Sequence, residues 1–259
     1  MLGVRLYGVQ ADMNWMQYGS TDPFVHLLTF RQATEDETVI SVDLAQPVFG
    51  YRTRWDGDDL LLDIRRPPVV DRRAPLKGRR IAIDAGHPPL GARGPTGLRE
   101  PDMTLAIARK VAALLTQAGA QVVMVRPDER PLGLVERLRI AERADAEVLV
   151  SIHGNGLPDG INPFLNTGTS TYYFHPRSAP LARALDEALV RQLGFRDLGF
   201  GRGDLALVRP TWMPAALTEG LFLQMPDQEA VLGSDAGQQR YAQGIVDGLT
   251  QYLREAFGK

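Results

Sequence analysis

From about residue 76 onward the hydrophobic period switches back and forth between two and about 3.6, and this alternation constrains the fold more than any other feature. Ile81, Ile83 and Ala85 read as a short apolar strand, and Leu105, Ile107, Ala108, Val111, Ala112, Leu114 and Leu115 recur at helical spacing. Pro101 near the start of that helix and Gly119 just past its end are the usual punctuation. Gln121 to Val125 is the next strand, Leu134 to Arg143 the next helix, and Glu147 to His153 a third apolar strand. Strands that run parallel need long crossovers, and these helices supply them. The pattern predicts an α/β fold with a mostly parallel twisted sheet and helices on both faces. Further on, Thr169 to Phe174 reads as a strand, Ala179 to Leu193 as a helix and Leu205 to Val208 as a short strand. Ala215 to Phe222 is the last expected strand, and Gln239 to Phe257 a closing helix with Ile245, Leu249, Tyr252 and Leu253 on one side.

The first 75 residues follow a different rule. Pro23 to Phe30 and Val39 to Leu44 are strand-like. Tyr51, Thr53 and Trp55 alternate with arginines, Asp56-Gly57 offers a hairpin turn, and Leu60, Leu62 and Ile64 alternate on the return. Arg65 to Pro75 holds three prolines and four arginines, which oppose both helix and central strand. The expected organisation is a small β-rich N-terminal domain over 1–75, ending in this linker, and a catalytic domain over 76–259. His26 reads as a packed or half-exposed strand histidine rather than a ligand. Trp15, Tyr18, Tyr51 and Trp55 are either ordinary packing or a sugar-stacking face.

Composition removes several functions. The net charge is −2, and the basic clusters stop at Arg72-Arg73 and Lys77-Gly-Arg79-Arg80, so nothing calls for a nucleic-acid partner. No apolar run approaches the roughly 20 residues of a membrane span. With no cysteine, disulfides, a thiolate nucleophile and a Cys zinc site are all excluded. A metal would have to be held by histidine and carboxylate.

Of the four histidines, two share one setting: His87 closes Ile81-Ala-Ile-Asp-Ala-Gly-His and His153 closes Val148-Leu-Val-Ser-Ile-His. In an open α/β sheet, ligands gather outside the carboxyl ends of the strands. Two parallel strands would bring both imidazoles to that edge, and the loop from His87 to the helix near Pro101 would return Glu100 to it. Two His and one Glu form a ligand set typical of catalytic zinc, with a position left for water. Hydrolysis also needs a group to carry the water's proton, and Met213-Pro-Ala-Ala-Leu-Thr-Glu219 is another apolar run ending in a carboxylate. By spacing alone the plainer readings stay open. The histidines could be capped strand ends, Glu100 a carboxylate favoured by the helix dipole, and Glu219 an ion-pair partner of Arg209. Asp84 reads as a strand-end residue or a support for the ligands, because three ligands and water already fill a tetrahedron.

The stretch from about Lys77 to Leu253 resembles the zinc-dependent N-acetylmuramoyl-L-alanine amidases of the amidase-3 family, the cell-wall amidases. The resemblance is carried by Ile83-Asp-Ala-Gly-His87, Gly94-Pro-Thr-Gly97 with Glu100, and Val125-Arg-Pro-Asp128 with Leu134 and Arg137. It continues through Ala144-Asp145, Ser151-Ile-His-Gly-Asn155, Gly168-Thr-Ser-Thr-Tyr-Tyr173 and Met213-Pro-Ala-Ala-Leu-Thr-Glu219. It implies zinc held by His87, Glu100 and His153, with Glu219 as the catalytic glutamate. The implied partner is peptidoglycan, and the implied reaction cuts the amide between N-acetylmuramic acid and the L-alanine of the stem peptide. Other readings of the same residues are a different zinc peptidase acting on stem peptides and a non-catalytic wall-binding module. A wall substrate implies the periplasm or the cell exterior, reached with a signal segment missing from this chain.

The chain also departs from the family pattern. Pro88-Pro-Leu-Gly-Ala92 stands where the family places Gly-Gly and an acidic residue after the first histidine. Thr218 replaces an apolar residue, and Gly220-Leu-Phe-Leu-Gln-Met-Pro follows Glu219 in place of the common pattern. Some relatives carry a helical insertion after the second histidine that blocks the zinc, whereas the short segment from Gly154 to Thr167 predicts an open site. Arg209 is a candidate to hold a stem-peptide carboxylate or to form an ion pair. Asn155 and His175 are candidates for the groove wall or for turn and surface positions. The N-terminal segment stands where relatives carry a wall-targeting β domain, an analogy of position only.

Overall fold

A computed structural model describes residues 1–12, 22–158, 160–162 and 164–259. The chain divides into two compact units, Met1–Pro67 and Pro68–Lys259, which separate within the expected linker stretch.

In the first unit β1 (Leu2–Tyr7), β2 (Val25–Thr34) and β3 (Glu37–Leu44) form an antiparallel sheet in the order β1-β3-β2. Phe24, Val42 and Leu44 make its small core. The hairpin of β4 (Gly50–Asp56) and β5 (Asp59–Arg65) has the alternation read from the sequence, with Trp55 opposite Leu60. Its two-residue loop is Gly57-Asp58, one position later than expected. Gly57 has φ +59°, and a glycine at the first central position suits a II′ turn. His26 is exposed on β2, as is Trp55 on β4. Trp15 and Tyr18 lie outside the described residues.

The second unit is a six-stranded sheet made of β6 (Arg80–Ala85), β7 (Gln121–Met124), β8 (Val148–Asn155), β9 (Thr169–Tyr173), β10 (Asp197–Arg202) and β11 (Ala215–Phe222). Their order is β10-β9-β11-β8-β6-β7. Every neighbouring pair is parallel except β9 with β11. The helices are α1 (Glu100–Gln117), α2 (Leu134–Arg143), α3 (Ala179–Leu193), α4 (Pro226–Gly233) and α5 (Asp235–Phe257). Alternation along the strands divides the core between the two faces. Ile81, Ile83, Val148, Val150 and Ile152 pack with Ile107, Val111, Leu185, Ile245 and Leu249 of α1, α3 and α5. Ala82, Leu149 and Ala215 pack on the opposite face with Ala141 of α2 and with Leu207. The layers are therefore unequal, with three long helices on one face and α2 on the other.

Three elements differ from expectation. Leu205 to Val208 is not a strand: Ala206–Val208 is a 3-10 turn that drops Leu207 into the α2-side core and buries Val208. The sheet edge is instead β10, whose Leu198-Gly-Phe-Gly-Arg lacks strand propensity but pairs through its backbone with β9. The short α4 carries too weak a period to be read from the sequence.

α3 packs closely against α5. A methyl on Gly248 would lie 2.7 Å from the Leu185 Cα and 2.8 Å from the Ala184 carbonyl oxygen, and backbone atoms cannot turn aside. Alanine gains about 1 kcal/mol over glycine in a free helix. Forcing the helices apart costs about 1–3 kcal/mol, which outweighs it. Gly248→Ala is therefore expected to lower the urea midpoint at unchanged slope, and a raised midpoint would refute this packing.

Candidate metal centre

β6 and β8 run side by side, with Asp84 opposite Ser151 and Ala85 opposite Ile152; β6 ends there, while β8 continues through His153 to Asn155. Gly86 continues β6 by donating its N–H to the Ile152 carbonyl. The chain then turns at His87, whose φ of +57° is in the left-handed region that a side chain rarely adopts. This turn throws the His87 imidazole back toward His153, and the two rings meet edge to face with centroids 5.1 Å apart. Gly86 is required beside them: a Cβ there would lie 2.5–2.7 Å from three atoms of the His153 ring.

Glu100 arrives from the loop as the first residue of α1. Its Oε2 is 3.2 Å from His87 Nε2 and its Oε1 is 3.1 Å from His153 Nδ1. Ala92 N–H donates to Oε2 at 2.7 Å and Gly154 N–H to Oε1 at 3.2 Å. Burial alone would raise the Glu100 pKa. Contacts with the His153 and His87 rings, the charge of a protonated His153 and the Ala92 N–H reverse this and bring it down to about 2. Glu100 is thus held as a carboxylate. For His153, burial favours the neutral ring, but the Glu100 hydrogen bond and the charges of Glu219, Glu100 and Asp84 favour the cation and raise its pKa.

These three residues form a group able to hold a metal ion, with ligating atoms all within 4.8 Å of one another. Tetrahedral ligands about 2.0–2.1 Å from zinc lie roughly 3.3 Å apart, close to the two nitrogen–oxygen separations here. A carboxylate and two imidazole nitrogens converging from three sides suit a metal cation. The His87 side chain keeps 28% exposure, and the described residues between Asn155 and Thr169 form no helix over it.

Glu219 stands beside this group. It is the register partner of His153 on β11, so both side chains leave the sheet on one face. Its Oε2 is buried without a hydrogen-bond partner. Burial raises its pKa; the charges of His153 and His87 pull it down, that of Glu100 pushes it up, and the result is about 7. A buried carboxyl poised to exchange a proton near neutrality is a common sign of acid–base chemistry.

Two arginines whose roles the sequence does not reveal hold the strand ends. Arg126, buried after β7, donates to the carbonyls of Ala85, Gly86, Pro101 and Asp128. Its burial lowers its pKa to about 10. Arg137 of α2 is 2% exposed. It donates to Asp84 Oδ1 at 2.8 Å and to the carbonyls of Ala85, His87, Pro88 and Leu132 at 2.6–3.0 Å. The available signal was phase, since Arg137 falls between Leu134 and Ala141 on the apolar side of its helix. Glu229 of α4, also buried, accepts from the Thr96 N–H at 3.0 Å and hydroxyl at 2.8 Å, fastening the loop between His87 and Glu100.

Arg209 and His175 lie elsewhere. β9 runs antiparallel to β11, with Tyr172 opposite Leu217 and Ser170 opposite Glu219. His175 beyond β9 and Arg209 before β11 therefore sit at the other edge of the sheet. There Arg209 pairs with Asp204 at 2.7 Å, and the Arg209 carbonyl lies 2.9 Å from His175 Nε2. Asn155 ends β8 on the site edge, where its side chain accepts from the Gly156 N–H at 2.8 Å.

Residues 81–251 match the family model of N-acetylmuramoyl-L-alanine amidase, Amidase_3. The chain is 35% identical over 191 residues to the uncharacterized protein YqiI of Bacillus subtilis, covering 71% of this chain and 90% of that one. It is 32% identical over 184 residues to the endolysin of Bacillus phage SPP1, spanning 67% of this chain but 65% of the endolysin. A similar solved structure is the catalytic domain of CwlV, an N-acetylmuramoyl-L-alanine amidase from Bacillus (Paenibacillus) polymyxa var. colistinus. It is 37% identical with a TM-score of 0.63, over 68% of this chain and 98% of that one.

The close approach of Gly86 to His153 gives a direct test. Gly86→Ala displaces the imidazole, and a mispositioned ligand typically costs roughly 10–100-fold in metal affinity. Competition with a chromogenic chelator should read that loss; wild-type affinity in the variant would show that the His153 ring does not depend on this contact.

Proposed function

The chain belongs to the N-acetylmuramoyl-L-alanine amidase family Amidase_3, and from that premise we propose a zinc-dependent peptidoglycan amidase cutting between N-acetylmuramic acid and the L-alanine of the stem peptide. The observation that carries this reading is the convergence of His87, Glu100 and His153 with Glu219 as the neighbour of His153 across β8 and β11. His87 Nε2, Glu100 and His153 Nδ1 would hold the ion. Zinc bound there supplies a Lewis acid that polarises the amide carbonyl and acidifies water.

The remaining chemistry falls to the chain itself. Attack on the amide requires a proton to leave water and reach the departing nitrogen. Glu219, with a pKa of about 7 and a free Oε2, is suited to take that proton and pass it on. Glu100, held as a carboxylate, offsets charge at the centre throughout. Among the described residues no helix is long and apolar enough to cross a membrane, and a wall substrate implies action in the cell envelope, in the periplasm or outside the cell. In this reading residues 76–259 carry the activity, and the β-rich N-terminal domain over 1–75 serves wall targeting.

Glu219→Gln keeps the shape and removes the titrating carboxyl. It should retain zinc while release of intact stem peptides from purified sacculi falls roughly 10²–10⁴-fold. Wild-type turnover in this variant would refute the assigned role. Chelation should abolish the wild-type reaction and zinc should restore it; stem peptides shortened rather than released would identify a peptidase instead.

A further inference from the structure

Beyond the ligands themselves, the geometry points to Ser151 as a positioning residue that, through Asp84 and Arg137, fixes His153 in the tautomer protonated on Nε2 and so reserves Nδ1 for the metal. This rests on the zinc reading of the centre and adds which nitrogen is offered and why.

The Arg137 guanidinium has five N–H donors and no acceptor. All five are used: Nε to the Leu132 carbonyl, Nη1 to Asp84 Oδ1 and the Ala85 carbonyl, Nη2 to the His87 and Pro88 carbonyls. The buried Asp84–Arg137 ion pair, 1% and 2% exposed, makes Asp84 an acceptor. Its second oxygen, Oδ2, lies 2.7 Å from Ser151 Oγ, so the serine hydroxyl donates there. A hydroxyl has a single hydrogen. Toward His153 Nε2, 3.2 Å away, Ser151 Oγ can then only accept, and Nε2 must carry the hydrogen. In the neutral ring Nδ1 is left as a lone pair aimed at Glu100 Oε1, 3.1 Å away. Two acceptors face each other there, an arrangement satisfied by a cation between them.

The strand geometry makes this chain of contacts possible. Asp84 and Ser151 are register partners on β6 and β8, and His153 is two residues beyond Ser151 on the same face of the sheet. Arg137 reaches them because α2 packs on that face. The polarity of the whole row is therefore set at its far end, by a group that can only donate.

Asp84→Asn should invert the row. The Asn oxygen accepts from Arg137 and its amide donates to Ser151 Oγ, which frees the hydroxyl hydrogen for His153 Nε2. The ring would then be protonated on Nδ1, the nitrogen needed for the metal. Ser151→Ala removes the bias without reversing it. The experiment uses the full chain, metal-free and ¹⁵N-labelled in histidine, at alkaline pH where the ring is neutral. His153 is assigned by comparison with His153→Gln. Two-bond ¹H–¹⁵N spectra read the tautomer, and chelator competition reads zinc affinity. Wild type should show Nε2–H, Ser151→Ala a mixture with roughly 10–100-fold weaker zinc, and Asp84→Asn predominantly Nδ1–H with a larger loss. A wild-type His153 protonated on Nδ1 would overturn the proposal, and so would a Ser151→Ala protein with unchanged tautomer and affinity. Ser151→Ala replaces a small buried side chain with a smaller one, so the test stands even if Asp84→Asn fails to fold. A wild-type chain with Nε2–H that takes up no zinc would instead sink the zinc reading while leaving the tautomer lock in place.

Discussion

The site depends first on a buried cation that must be fully solvated by the protein. A guanidinium removed from water costs several kcal/mol unless every N–H finds an acceptor. For Arg137 those acceptors are the carboxylate of Asp84 and the carbonyls of Ala85, His87, Pro88 and Leu132. Four of the five belong to the segment that ends β6 and turns into the ligand loop. Satisfying the arginine thus fixes the path of the segment that carries His87. It also supports the left-handed conformation of His87, which is unfavourable by about 1–2 kcal/mol for a side-chain-bearing residue. Arg126 grips the same strand end through the Ala85 and Gly86 carbonyls, so the backbone entering the site has little freedom.

The unequal layers give this local constraint a functional setting. α1, α3 and α5 cover one face of the sheet, and their core is continuous from Ile81 to Leu253. The opposite face has α2 and a 3-10 turn, with a smaller core around Ala82, Leu149 and Ala215. Ser151, His153 and Glu219 leave the strands on this lightly covered face. A polymer as large as peptidoglycan needs such a face, and a fold with long helices on both sides would leave it little room. The alternation of β8 gives each residue type its place: Val148, Val150 and Ile152 hold the thick layer, while Ser151 and His153 are free for chemistry.

How much of this can be read from the sequence follows from which forces act locally. α2, α3 and β11 begin and end where the period says, because amphipathic patterning is a short-range signal. That His87, Glu100 and His153 come together, with Glu219 beside them, is expected because strand ends in a parallel sheet share an edge. For Arg209 and His175 the sequence left two positions open, and in each case the plainer one holds: Arg209 pairs with Asp204, and β9, antiparallel to β11, carries His175 away from the site edge. Strand direction is decided by tertiary pairing, which leaves no mark in the five residues of β9. The arginine anchors were hidden for a related reason. A basic residue on a helix is read as solvated unless its acceptors are known, and those of Arg137 come from up to 53 residues away in sequence.

The Pro88-Pro89 segment, the clearest departure from the family pattern, has a physical use in this chain. The Pro88 carbonyl accepts from Arg137, and the Pro89 carbonyl lies 3.2 Å from His87 Nδ1. A carbonyl can only accept, so Nδ1 of His87 carries the hydrogen and Nε2 is left facing Glu100. The two histidines therefore offer opposite nitrogens, Nε2 from His87 and Nδ1 from His153, each set by what its other nitrogen touches. His87 lies beyond the strand end and must reach back with its far nitrogen. His153 is still within β8 and meets Glu100 with its near one. Through these two carbonyls the segment that follows the first ligand also helps to orient it.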